Sequence, residues 1–213
     1  PGDGGAPSFA VDARVRLESV SPSALHSALD LIAAAGTRAA RLDALATRLA
    51  GGGGGSHGAV AVAFGLALRR VVRAHAADLA LLPDAVALRR WEQRQLAVAD
   101  GTAADDITVM GEGESPWASG VSVLCVLAHG RPLLAEQCHY HALCDALSAH
   151  AATTPAPPPA ADPWSCFPRG LALLEALHAE LRRASVVLHP TSCDATCALF
   201  AAAAKPWLSW LRR

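Results

Sequence analysis

The stretch that most constrains this chain is residues 57–82, HGAVAVAFGLALRRVVRAHAADLALL. Val60, Phe64, Leu68, Val71, His75, Leu79 and Leu82 recur at steps of three and four, which puts them on one face of an α-helix. Arg69, Arg70 and Arg73 fall together on another face, where water or a partner can solvate them. At a rise of 1.5 Å per residue such a helix spans about 40 Å, long enough for the rest of the chain to pack on. Nothing along it resembles a catalytic or cofactor motif.

Composition extends the helical reading to the whole chain. The hydrophobic share is 52%, much of it alanine, while aromatics are only 5%. Alanine and leucine are the strongest apolar helix formers, and the β-branched and aromatic residues that favour strands are sparse. The expected fold is all-α: an elongated multi-helix bundle of about seven to nine helices with flexible insertions. Its large anchors are Phe64, Trp91, Trp117, Trp164, Phe200, Trp207 and Trp210.

Net charge is −1, from 18 basic and 19 acidic side chains, so no basic excess is available for a nucleic-acid backbone. The clusters Arg69/Arg70/Arg73 and Arg89/Arg90/Arg94 read first as solvated helix faces. No run of about 18 residues is free of charge and helix breakers, so no membrane span is expected. The polar, Gly/Pro-rich start PGDGGAPSFAV carries no secretory pattern, and six cysteines without one read as reduced thiols. Pro1 opens the chain, Met110 is its one methionine, and WLSWLRR closes it, which together suggest a segment of a longer polypeptide.

Taken in order, residues 1–20 read as a disordered or extended segment and 21–213 as a helical region. Ser21-Pro22 gives an N-cap with proline at the first helical position. Leu25, Leu29 and Ile32 follow on one face, Gly36 is expected to end that helix, and Ala40, Leu42, Leu45 and Leu49 line the next. Low-complexity insertions are expected at 51–56 (five glycines and a serine), 100–116 and 152–165. Pro83 is expected to break or kink the long helix, with Leu88, Trp91 and Val98 sharing a face beyond it. A short helix is expected over 117–128, with Val121, Leu124 and Ala128 inward, and Gly130 and Pro132 separate it from the next. Further on, Leu171, Leu174, His178 and Leu181 form a stripe. Thr191 or Ser192 can cap a last helix with Cys193, Cys197 and Phe200 inward, which Pro206 interrupts.

Among possible chemical sites the sharpest is CHYHALC, with Cys138, His139, His141 and Cys144, and Cys125 and His129 upstream. Zinc takes four thiolate or imidazole ligands in a tetrahedron. On a continuous helix Cys138 and His141 can share a metal, but Cys144 turns aside, so buried thiols and surface histidines are the reading preferred. Cys193 and Cys197, one turn apart, could hold half a site and read equally well as small core residues. No nucleophile elbow and no His-Glu-x-x-His pair occurs, and Glu136, Asp145, Glu175 and Glu180 read as isolated acids on helix faces. His75 and His178 sit in apolar stripes and read as packing histidines. No catalytic residue, cofactor or metal ligand is assigned, and no enzyme is expected.

The order of segments carries a resemblance. AGTRAARLDAL precedes the long helix; VSVLCVLAHGRPLLAEQCHYHALCDAL, FPRGLALLEALHAELRRA and CALFAAAAKPWLSWLRR follow it. This succession resembles the N-terminal half of the gamma-tubulin complex components, the GRIP-domain family, over most of 21–213 outside the insertions. The features that carry it are Pro132-Leu133-Leu134, Leu173-Leu174-Glu175-Ala176-Leu177 and Pro206-Trp207-Leu208-Ser209-Trp210-Leu211. The long linker before the Leu-Leu helix is most similar to the component 5 or component 6 branch. The five-glycine run, Pro83 and the acidic loop depart from the pattern. The resemblance implies a scaffold making lateral contacts with other components in the gamma-tubulin ring complex, which nucleates microtubules. It implies a place in the cytoplasm, at the cytoskeleton and the microtubule organising centre. Gamma-tubulin itself would be met only indirectly, and neither nucleic acid nor membrane is an implied partner. The alternatives are an unrelated helical adaptor and, further off, a zinc-stabilised helical domain.

Overall fold

The computed structural model of the chain describes residues 8–16, 21–51, 58–99, 123–151, 164, 167–187 and 190–212. Among these it is all-helical, with no strand. Helix α1 spans Pro22–Ala50, α2 Gly58–Ala99, α3 Val123–Ala151, α4 Gly170–Val187 and α5 Pro190–Leu211. The insertions expected at 51–56, 100–116 and 152–165 lie largely outside the described residues, as do Trp117 and Val121.

Among the described residues the helices are longer than the breakers in the sequence imply, because four expected interruptions are internal. Gly36 lies inside α1, Pro83 inside α2, Pro132 inside α3 and Pro206 inside α5. A helical glycine costs about 1 kcal/mol relative to alanine and a proline about 3 kcal/mol. Each proline removes one rung of a ladder that alanines and leucines sustain on both sides. Pro190 opens α5, so Thr191 and Ser192 stand inside it rather than at its cap. At the start of α1 the arrangement is as read: Ser21 is the N-cap with Pro22 following, though the Ser21 hydroxyl pairs with Ser23 at 2.9 Å instead of capping.

The chain forms two compact units. One combines Pro1–Ala74 with Ala135–Arg213, the other is His75–Leu134, and α2 and α3 each pass from one into the other. The larger unit holds a continuous core. Leu42, Leu45 and Leu49 from α1 join Phe64 and Leu68 from α2 and Leu143, Cys144 and Leu147 from α3. Leu173 and Leu177 from α4 and Leu199 and Ala203 from α5 complete it. Helices α1 and α2 approach so closely that a Cβ on Gly65 would stand 2.7 Å from Leu49 Cβ and 3.0 Å from the Ala50 nitrogen. Only glycine fits there, which accounts for an otherwise unfavourable residue in mid-helix. In the smaller unit His75, Val86 and Ala87 are buried. Gly130 of α3 lies opposite Leu82 of α2, whose Cδ2 would be 2.9 Å from an added Cβ.

Several expected faces are rotated. Ile32 is exposed, and Leu25, Ala28 and Ala35 are the buried residues early in α1. Leu88 and Trp91 are exposed, and the side chain of Val98 lies outside the described residues. Ala128 is exposed. On α4 the inward stripe is Leu173, Leu174, Leu177 and Ala184, while Leu171 and His178 face out. On α5 the inward residues are Thr196, Leu199, Ala203 and Ala204; Cys197 is exposed, and Cys193 and Phe200 are partly covered.

Candidate functional site

Most of the cysteines and histidines singled out in the sequence sit on α3, which points them in different directions. Tyr140, Leu143, Cys144 and Leu147 turn inward at steps of three and four, leaving Cys138 exposed. Cys144 is fully buried, and burial first, then the neighbouring Asp145 carboxylate, pushes its thiol far above its ordinary range. Such a thiol is inert at neutral pH. Cys125 and His129 belong to the other unit, where they pair within one turn. The His129 Nδ1–H donates to the Cys125 carbonyl at 2.8 Å, and Nδ1 stands 3.7 Å from Cys125 Sγ. Among the described residues no three His, Cys, Asp or Glu side chains gather as a metal site.

Two histidines of α3, His139 and His150, join it to other helices. His139 Nε2 lies 2.9 Å from Thr196 Oγ1 on α5, and that hydroxyl donates to the Ser192 carbonyl, so the imidazole is the donor. Burial lowers the pKa of His139, partly offset by the Ser192 carbonyl and by Glu136. His150 reaches Glu180 on α4 at 3.4 Å. Glu180, read as an isolated acid, is buried and also pairs with Arg183 at 2.7 Å. Glu136 accepts the Tyr140 hydroxyl at 2.9 Å; burial, then that bond, raises the phenol's pKa.

Asp145 is the third acid that proves to be engaged. One carboxylate oxygen accepts the Trp164 indole N–H at 2.8 Å, and the other lies 3.0 Å from His141 Nδ1. The Trp164 carbonyl accepts from Arg48 of α1 at 2.7 Å, its ring lies 5.1 Å from that of His141, and its side chain is 2% exposed. Phe167 then packs on Phe64 with ring centroids 5.6 Å apart. Trp164, one of the expected anchors although it falls within the 152–165 insertion, holds to α1 and α3, and Phe167 adds the contact with α2.

The outstanding surface feature is on α5. Thr196, Phe200, Ala203, Trp207 and Trp210 recur at steps of four, three, four and three, so one stripe runs the length of the helix. Thr196 and Ala203 are buried in the core, yet Trp207 is 45% and Trp210 71% exposed, with Leu208 and Leu211 exposed beside them. On α2, Arg70 and Arg73 are exposed, while Arg69 is partly covered and its Nε is buried without a hydrogen-bond partner.

No protein-family model matches the chain, and no curated protein or solved structure is significantly similar to it. The class that the described residues define is an all-helical bundle with an exposed Trp/Leu stripe.

Proposed function

We propose that the chain is a helical scaffold that binds other proteins and, on the segment order that resembles the GRIP-domain family, that it is a scaffold segment of a gamma-tubulin complex component. It contributes lateral contacts to other components of the ring complex that nucleates microtubules, in the cytoplasm at a microtubule organising centre. The expectation of an elongated bundle of seven to nine helices belongs to this reading. The observation that carries the scaffold role is the α5 stripe, whose Trp207 and Trp210 continue a core-facing period onto an exposed surface. Large apolar side chains grouped in this way mark interaction surfaces, and Trp is enriched at their energetic centres. Arg70 and Arg73 on α2 are exposed charges of the kind that steer and orient a partner more than they bind it.

The test is co-precipitation. The tagged chain captures neighbouring complex components from purified mixtures, while purified gamma-tubulin alone does not bind it. Failure to associate with any component overturns the assignment to this complex. Within a positive result, simultaneous charge reversal of Arg69, Arg70 and Arg73 weakens assembly if they face a neighbour; unchanged assembly returns them to plain solvated surface.

A further inference from the structure

Helix α1 has a second face, nearly opposite its core face, and a segment of the chain lies on it. His26, Leu29, Ala33, Gly36 and Thr37 follow one another at steps of three, four, three and one, and all are partly covered. Residues 8–16 run along this face in the direction opposite to the helix, with Phe9 at Gly36 and Thr37 and Val15 at His26. A Cβ on Gly36 would stand 3.2 Å from Phe9 Cδ2, so the missing side chain forms the notch that seats the ring. Thr37 Oγ1 donates to the Ala33 carbonyl and accepts the Phe9 backbone N–H, each at 2.9 Å. His26 Nε2–H donates to the Val15 carbonyl at 3.3 Å. Between these anchors a tight turn shortens the segment, with Val15 N–H on the Asp12 carbonyl at 3.1 Å and Arg14 N–H on the Asp12 carboxylate at 2.9 Å.

The hold is light. The Phe9 side chain is 56% exposed, both bonds to the helix lie in exposed surroundings, and no residue of the segment enters the hydrophobic core. What the helix reads is one aromatic ring and two main-chain groups, chemistry that any extended segment with a suitably placed aromatic can supply.

We propose that this face of α1 is a docking site for an extended protein segment bearing an aromatic anchor, and that residues 8–16 occupy it in cis as a strap that such a partner displaces. The inference does not rest on membership of the ring complex. The strap is tethered to its site, so its effective concentration is in the millimolar range for a short linker. Partners in trans therefore compete at a disadvantage until the strap is weakened.

The test uses the full chain and a fluorescent peptide, SFAVDARVR, equal to residues 8–16. By anisotropy the peptide binds the Phe9→Ala chain about tenfold or more tightly than the wild-type chain, because the variant strap competes less well. Adding Gly36→Leu fills the notch and abolishes that binding. Leucine is a good helix former, so far-UV circular dichroism and thermal stability should not fall, which separates a blocked site from a damaged fold. Two binding results each overturn the proposal: no binding to Phe9→Ala at millimolar peptide, or equal binding to Phe9→Ala with and without Gly36→Leu. A wild-type dimer in sedimentation that Phe9→Ala abolishes also overturns it, in favour of strap exchange between two copies.

Discussion

Two non-helical regions of this protein are fastened to helices by an aromatic residue, and they are fastened in opposite ways. Trp164 is sealed in the core, its indole N–H on the Asp145 carboxylate and its carbonyl on the Arg48 guanidinium. Phe9 lies on the outside of α1 in a glycine notch, with its amide on a threonine hydroxyl. Hydrogen bonds to charged groups are about twice as strong as neutral ones, and burying a large ring adds roughly 1.5–3 kcal/mol. The first arrangement makes a chain segment part of the bundle; the second leaves it replaceable. An aromatic residue in irregular backbone therefore says little until its burial and its hydrogen-bond partners are known.

The largest effect that tests this contrast is Trp164→Ala. It should cost about 3–5 kcal/mol of stability, the range for deleting a buried aromatic side chain, and more if the Asp145 carboxylate is left poorly satisfied. Chemical denaturation measures it; a loss below about 1 kcal/mol contradicts the latch. Next comes Gly65→Val, which sets a branched side chain against Leu49 and the Ala50 backbone. Overpacking of this kind costs about 1–3 kcal/mol, and a variant as stable as wild type would show that α1 and α2 do not approach as described.

A smaller effect is pH dependence. Burial depresses the proton affinity of His139, so the folded state binds fewer protons than the unfolded chain. Its contribution to stability is then intact above the ordinary value of 6.5 and declines as pH falls through 6.5 toward the lower folded value. His139→Gln, which retains a donor for Thr196, should flatten the acid side of the stability profile below the ordinary histidine value of 6.5. An unchanged profile would contradict the assignment. Smallest of all is Phe9→Ala, expected to change global stability by no more than about 0.5 kcal/mol because the residue lies outside the core.

How much of this was legible in the sequence follows from the range of the forces involved. The all-α class was legible because helix propensity is local and summed over many alanines and leucines. So was the core face of the first half of α2, where Val60, Phe64 and Leu68 are buried at the expected positions. Helix boundaries were less so. Pro83, Pro132 and Pro206 each impose a local penalty that the surrounding ladder and packing outweigh, and only the folded chain reveals that balance. Rotation was ambiguous on α4, where Leu171, Leu173, Leu174 and Leu177 offer two adjacent stripes and tertiary packing selects the one through Leu173 and Leu177. Gly65 and Gly36 gave no signal of their roles, because each depends on what crosses it from elsewhere in the chain. Asp145 and Glu180 looked isolated for the same reason, since their partners include residues 19 and 30 positions away, although the local spacings Glu136–Tyr140, His141–Asp145 and Glu180–Arg183 were there to be read.

Hydrogen exchange read by NMR at two protons of the full chain tests the contrast most directly. The Trp164 indole N–H should exchange only through opening of the bundle. The Phe9 amide N–H should exchange at least 100-fold faster, roughly the ratio expected when a segment opens without the core. Equal protection at the two sites would contradict the account, because it would make the strap as much a part of the fold as the latch.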